Sequence, residues 1–126
     1  MENNTSLYER LGGIKGIEAI ADDIVELHMI NPHIKARFLP LKDNPQHFSE
    51  VRKHLIHFLA AGSGGPEAYT GKDMTTAHKG MNISNGEYMD AIDDIMKALN
   101  KNNIDEQTQK DVLYIAYSLK ASMLHV

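Results

Sequence analysis

The stretch GGPEAYTGKDMTTAHKG, residues 64–80, is the most informative part of this chain. Its glycine-rich first half predicts an irregular loop, and long irregular segments in compact helical domains are often functional. Asp73 to Lys79 predicts about two helical turns, which Gly80 ends. This loop would present the imidazole of His78 on a small helical platform, where it could bind a metal.

A structural role for His78 is the alternative. A charged histidine in the last turn of a helix is favoured by the helix dipole. From the residues alone, helix capping and metal ligation both stay open.

Composition excludes several classes of protein. The 126 residues are 42% hydrophobic and 24% charged, so we expect one globular domain over residues 1–126. The chain has no cysteine, which rules out disulfides, zinc–thiolate sites and iron–sulfur clusters. A net charge of −4 argues against a nucleic-acid surface. The seven histidines are therefore the obvious candidates for metal ligands.

The cellular setting is also constrained. No apolar run approaches the roughly 18 residues that a membrane span needs. The start of the chain lacks the basic and apolar segments of a secretory signal. We expect a cytoplasmic monomer that binds neither nucleic acid nor membrane.

Helical periodicity runs through the chain and no segment alternates like a strand, which predicts an all-α fold. Two capping boxes, two Asn-Pro pairs and an aspartate supply the start signals. The expected helices begin after Ser6, near Lys15, at Pro32, at Pro45, at Asp73, near Asn85 and after Asp105. The first six are expected to end before Gly12, near Ile30, at Pro40, near Ala61, at Gly80 and near Asn100.

Apolar residues at helical spacing predict the buried faces. The second helix would bury Ile17, Ile20, Ala21, Ile24, Leu27 and either Met29 or Ile30, and the fourth would use Phe48, Val51, Leu55, Phe58 and Leu59. The last two helices would bury Tyr88, Ala91, Ile92, Ile95, Leu99, Val112, Leu113, Ile115, Ala116, Leu119 and Met123.

Several short motifs follow one another in a recognisable order. They are Leu11-Gly12-Gly13, Asp22-Asp23 before Asn31-Pro32 and Phe38, Gly-Gly-Pro with Tyr69-Thr70-Gly71, Met74 four residues before His78, and Gly80 leading to Ile83. In this order and spacing the chain resembles the truncated, two-on-two globins of the first group over nearly its whole length. The resemblance implies a helical sandwich around non-covalently bound haem b. The second and fourth helices would form one side and the last two the other.

The resemblance also implies which residues form the site. His78 matches the histidine that binds the haem iron, Phe38 matches a phenylalanine that packs against the haem face, and Lys72 matches a basic position that can pair with a propionate. The remaining residues expected to wall the pocket are Val25, Val51, Leu55, Phe58, Met74, Tyr88 and Ile115.

The residue that faces the iron from the side opposite His78 is less certain from the motifs. The family's usual hydrogen-bond donors there are a tyrosine on the second helix and a glutamine on the fourth, and the matching positions here are Val25 and Leu55. Some members place a histidine at the position of His54, where it binds the iron as a second axial ligand. We therefore expect His54 to be that ligand. The alternative is that His54 is a boundary residue on a solvated face, with iron that is five-coordinate or water-bound.

The other histidines are not expected to bind the iron. His28, His33 and His57 would lie on solvent faces. Some relatives link a histidine of the last helix covalently to haem, but the matching position here is Ala121, so no covalent link is expected.

The resemblance implies reversible binding of the diatomic ligands oxygen, carbon monoxide and nitric oxide. Some members convert nitric oxide to nitrate with an external reductant, and a redox role of this kind suits two axial histidines better than oxygen storage. A sensor that signals through a separate partner protein is the alternative. A helical interaction protein without haem is a third possibility.

Overall fold

The computed structural model describes residues 6–64 and 82–124, and this part of the chain is helical, as predicted. The elements are α1 Leu7–Arg10, α2 Gly13–Ile30, α3 Lys35–Phe38, a 3₁₀ helix Leu39–Asp43, α4 Pro45–Gly62, α5 Asn85–Lys101, α6 Glu106–Ser118 and α7 Lys120–Met123. None of these helices is long and apolar enough to cross a membrane. The short helix expected over residues 73–79 lies outside the described residues.

Side-chain caps fix the starts of the helices where the sequence predicts them. At α5 the Ser84 hydroxyl accepts a hydrogen bond from the Glu87 backbone N–H at 3.1 Å, and the Glu87 carboxylate accepts one from the Ser84 N–H at 3.2 Å. At α6 the Asp105 carboxylate accepts from the Thr108 N–H at 3.1 Å. These bonds satisfy backbone donors that a helix start leaves without a partner.

The corner between α1 and α2 requires glycine. Gly12 has a φ of +96°, in the left-handed region that residues with a Cβ rarely adopt. A Cβ on Gly16 would lie 2.2 Å from the Leu11 carbonyl oxygen, so the backbones approach too closely for any side chain there.

The corner between α2 and α3 differs from the prediction. The helix expected to start at Pro32 begins at Lys35, because Asn31 organises a turn instead. Its side-chain oxygen accepts from the His33 N–H at 3.0 Å and its carbonyl accepts from the Lys35 N–H at 2.7 Å. Pro40 does not end the helical path either, since it falls in the first turn of the 3₁₀ helix, where no N–H is needed.

The second helix, α2, lies at the centre of the fold. It packs against both α4 and α5, and α6 packs against α5. The contacts within both expected pairs, α2 with α4 and α5 with α6, are therefore present. The main core consists of Leu11, Ile17, Ile20, Ala21, Ile24, Ile56, Ala60, Ala98, Leu99 and Val112.

The inward face of α6 is narrower than predicted. Thr108 and Val112, four residues apart, are its buried residues, whereas Leu113 is 37% exposed. Val112 and Leu113 point about 100° apart around the helix, and the covered side of α6 includes Val112 but not Leu113.

An ion pair ties α3 to α5. The Arg37 guanidinium donates to both carboxylate oxygens of Glu87, with Nη2 and Oε1 3.2 Å apart. Arg37, helped by the Ser84 backbone N–H, lowers the pKa of Glu87 from its ordinary value of 4.5 to about 2. Because the folded pKa is below the unfolded one, this carboxylate stabilises the fold above about pH 4.5, and that contribution is lost as the pH falls towards about 2.

The substitution Glu87→Gln is therefore expected to lower the free energy of unfolding at pH 7 by about 1 kcal/mol. The difference from the wild type should shrink as the pH falls below about 4.5, since protonation removes the same charge. Urea unfolding followed by helical circular dichroism, from pH 7 to the lowest pH at which the chain folds, measures both effects.

A matched control is Glu106→Gln. Glu106 pairs with Lys110 at 3.4 Å, and its side chain is 84% exposed. This substitution should change the stability by less than about 0.5 kcal/mol. If Glu87→Gln lowered the free energy of unfolding by the same amount at every pH, the lowered pKa of Glu87 would be contradicted.

Candidate cofactor pocket

Three apolar side chains form the described part of the predicted ligand-binding side. Val25 on α2 is 5% exposed. Val51 and Leu55, one turn apart on α4, are half-buried, and Leu55 packs against the main core. None of the three can donate a hydrogen bond.

His54 continues this surface around α4. Ile56 and Ala60 are buried in the core shared with α2, Leu55 packs against that core, and Val51 is half-buried. At 3.6 residues per turn, His54 lies about 60° around the helix from Val51 and about 160° from Ile56. Its side chain is exposed. The imidazole is thus next to the apolar wall.

Tyr88 and Ile115 belong to the second helix pair. Tyr88 is 8% exposed and its hydroxyl donates to the Ala116 carbonyl at 2.5 Å. Burial raises the pKa of Tyr88, so its phenol is neutral at ordinary pH. Ile115 is half-buried and lines an apolar cleft together with Leu7, Leu11, Leu59, Gly62, Ser63 and Val112.

Phe38 lies at the end of α3 and contacts a residue that we expected elsewhere. Its ring centroid is 4.9 Å from that of His28, with the two planes at 41°. The prediction of a solvent-facing His28 is wrong, since this residue is 9% exposed. Its Nδ1 is 2.8 Å from Asp94 Oδ2. Burial lowers the pKa of His28, and the bond to Asp94 opposes that effect.

The sequence carried a signal for the burial of His28. It follows Ile24 by four residues, on the same stripe as Ile17 and Ile20, and helical periodicity therefore places it inside. Residue type argues the other way, because histidine is buried less often than isoleucine or leucine. Nothing in the pattern of α5 singles out Asp94, which is buried at 2% exposure.

Several predicted site residues lie outside the described part of the chain. They are the side chain of Phe58 and the residues Lys72, Met74 and His78. Of the other histidines, His33 is exposed as predicted and His57 is half-buried. Within residues 6–64 and 82–124, no group of three or more histidine or acidic side chains is arranged to hold a metal ion.

The described walls suit a flat, apolar cofactor such as haem. Val25, Val51, Leu55 and Ile115 carry no charge and no polar group. The one polar atom among the described walls, the Tyr88 hydroxyl, has its partner within the protein. An apolar ring can therefore cover these surfaces without leaving a buried polar group unsatisfied.

Comparison with known proteins agrees with this geometry. The family model described as bacterial-like globin matches residues 6–125. The chain is similar to a group 1 truncated hemoglobin of Tetrahymena pyriformis, with 26% identity over 98% of both chains. It is also similar to a group 1 truncated hemoglobin of Synechocystis, with 28% identity over 89% of this chain and 90% of that one.

The fold is matched by a solved structure. The crystal structure of the Tetrahymena pyriformis truncated hemoglobin in its Fe(III) form superposes with a TM-score of 0.87 at 25% identity. The match covers 97% of this chain and all of that one (100%). The predicted two-on-two helical sandwich is confirmed.

Proposed function

The chain belongs to the bacterial-like globin family and binds haem b without a covalent link, and we propose that His78 and His54 hold the iron from opposite sides. Haem iron supplies the position at which a diatomic ligand binds. The residues of this chain decide how firmly the haem is held, what competes with the ligand, and what surrounds it.

His78 is proposed as the permanent ligand. It ends the Met74-to-His78 motif that follows the glycine-rich loop, and this order of motifs is part of the resemblance to truncated globins. One nitrogen of a neutral imidazole is a good ligand for iron. The N–H of the other nitrogen can donate to a backbone carbonyl, which orients the ring.

The substitution His78→Ala is expected to weaken hemin binding by at least about tenfold, because the main bond between protein and iron is lost. Titration of the apoprotein with hemin, followed by the Soret band, measures it. His47→Ala removes a histidine with a 58% exposed side chain and should leave the titration unchanged. Equal hemin affinity in wild type and His78→Ala would rule out this ligand.

His54 is proposed as the displaceable ligand. The observation that carries the proposal is the apolar wall of Val25, Val51 and Leu55, with His54 next to it around α4. The described part of this wall offers no side chain that could bind iron or hydrogen-bond a ligand. His54 lies on the same helix, three residues after Val51 and directly before Leu55.

The substitution His54→Ala is expected to convert a low-spin, six-coordinate spectrum to a high-spin one in both oxidation states. It should also tighten the binding of carbon monoxide, because an external ligand no longer competes with an imidazole. If about 1% of wild-type molecules are open, the affinity would rise about a hundredfold.

His57→Ala is the matched control, since His57 is on the same helix three residues later and is expected to leave the spin state unchanged. A wild-type spectrum that is already high-spin, or one that His54→Ala does not alter, would refute coordination by His54.

The surroundings of the ligand favour turnover over storage. A ligand that draws negative charge is held longer when a donor bonds to it, and such a bond contributes about 1.5–3 kcal/mol. Val25, Val51 and Leu55 provide none. We therefore propose short-lived oxygen binding and a redox role, such as the oxidation of nitric oxide: nitric oxide, dioxygen and one electron from an external reductant together yield nitrate.

The cytoplasmic location and the monomeric state stay predictions.

The substitution Val25→Tyr is expected to slow oxygen dissociation by roughly tenfold or more, because the phenol restores a donor. Val25→Phe is the control, with nearly the same added volume and no hydroxyl. Flash photolysis or stopped-flow mixing measures both rates. Equal rates in the two variants would show that the missing donor does not determine oxygen release.

A further inference from the structure

Three carboxylates on one face of α5 hold the segment that carries Phe38. Glu87, Asp90 and Asp94 are spaced by three and four residues, so they share one side of the helix. Arg37 pairs with Glu87, His33 Nδ1 is 2.9 Å from Asp90 Oδ1, and His28 bonds to Asp94. The end of α2, the turn after it and α3 are thus each fastened to α5 by one of these contacts.

The innermost of these contacts is fully engaged. The side chains of His28 and Asp94 are 11% and 3% exposed, and their bond is 2.8 Å long. Asn31 Nδ2 donates to both oxygens of the same carboxylate, at 3.2 and 3.1 Å. A carboxylate this deeply buried is stable when several donors satisfy it, and together they leave it little freedom to move.

Phe38 rests on this buried pair. The ring of His28 contacts the ring of Phe38 at 4.9 Å between centroids, while its Nδ1 is held by Asp94. The orientation of the imidazole is therefore set from the α5 side, and the position available to the phenyl ring depends on that orientation. A continuous series of contacts runs from Asp94 through His28 to Phe38.

We infer that Asp94, acting through His28, is a positioning residue that fixes the Phe38 ring for contact with haem. This inference rests on the proposed placement of Phe38 in the haem pocket. The other two contacts fasten the segment from the surface, since the side chain of His33 is 70% exposed and that of Arg37 is 28% exposed. The buried contact is the one that includes His28, whose ring contacts the ring of Phe38.

The test is a double-mutant cycle on hemin release from the ferric holoprotein, measured by transfer to excess apomyoglobin. Phe38→Ala is expected to release hemin about tenfold faster, and Asp94→Asn roughly threefold to tenfold faster. In the Phe38→Ala background, Asp94→Asn should have no further effect, because the residue through which it acts is gone.

A second variant tests the same contact in case Asp94→Asn does not fold. His28→Gln keeps a donor for Asp94 but removes the ring that contacts Phe38, and it should accelerate hemin release to a similar degree. Asp90→Asn is the matched control on the same face of α5 and should change the release rate by less than about twofold.

The outcomes distinguish the placement of Phe38 against haem from the positioning role of Asp94. If Phe38→Ala leaves hemin release unchanged, the placement of Phe38 fails and the inference falls with it. If Phe38→Ala accelerates release but Asp94→Asn and His28→Gln do not, the inference is overturned while the placement stands. An Asp94→Asn effect of full size in the Phe38→Ala background would show a general structural role and would also overturn it.

Discussion

The buried face of α2 is the surface on which the rest of the structure depends. Ile17, Ile20, Ala21 and Ile24 are between 0% and 2% exposed, and α4 and α5 both pack against this helix. The main core contains residues of α2, α4, α5 and α6, so the burial of this one helical face ties all four helices together.

The chemistry of the pocket follows from what α2 and α4 offer to it. Burial selects apolar side chains at Val25, Val51 and Leu55, and the same choice removes every hydrogen-bond donor from those three positions. His54 follows around α4 on its exposed side, and the His28–Asp94 pair is buried and contacts Phe38 through the ring of His28. With His54 bound to the iron as proposed, a diatomic ligand would meet an apolar surface and compete with that imidazole.

Local signals predicted the helices well where the signal was itself local. Ser84 with Glu87, Asn44 with Pro45, and Asp105 mark helix starts through bonds that span three or four residues, and each start is found where expected. The helix start predicted at Pro32 was wrong because the Asn31 side chain bonds to His33 and to the distant Asp94. The burial predicted for Leu113 was wrong because apolar character does not say how wide the covered face of a helix is.

The sequence by itself determined the helical class, most helix bounds, the globin family and the two histidines to be tested as iron ligands, because these rest on periodicity, capping and ordered motifs along the chain. The tertiary structure alone decided which polar residues pair with each other inside the fold. His28 and Asp94 are 66 positions apart, and each is tolerable in the core because the other is there. Burial of a charged or polar group depends on its partner, and that partner is fixed by how α2 and α5 cross.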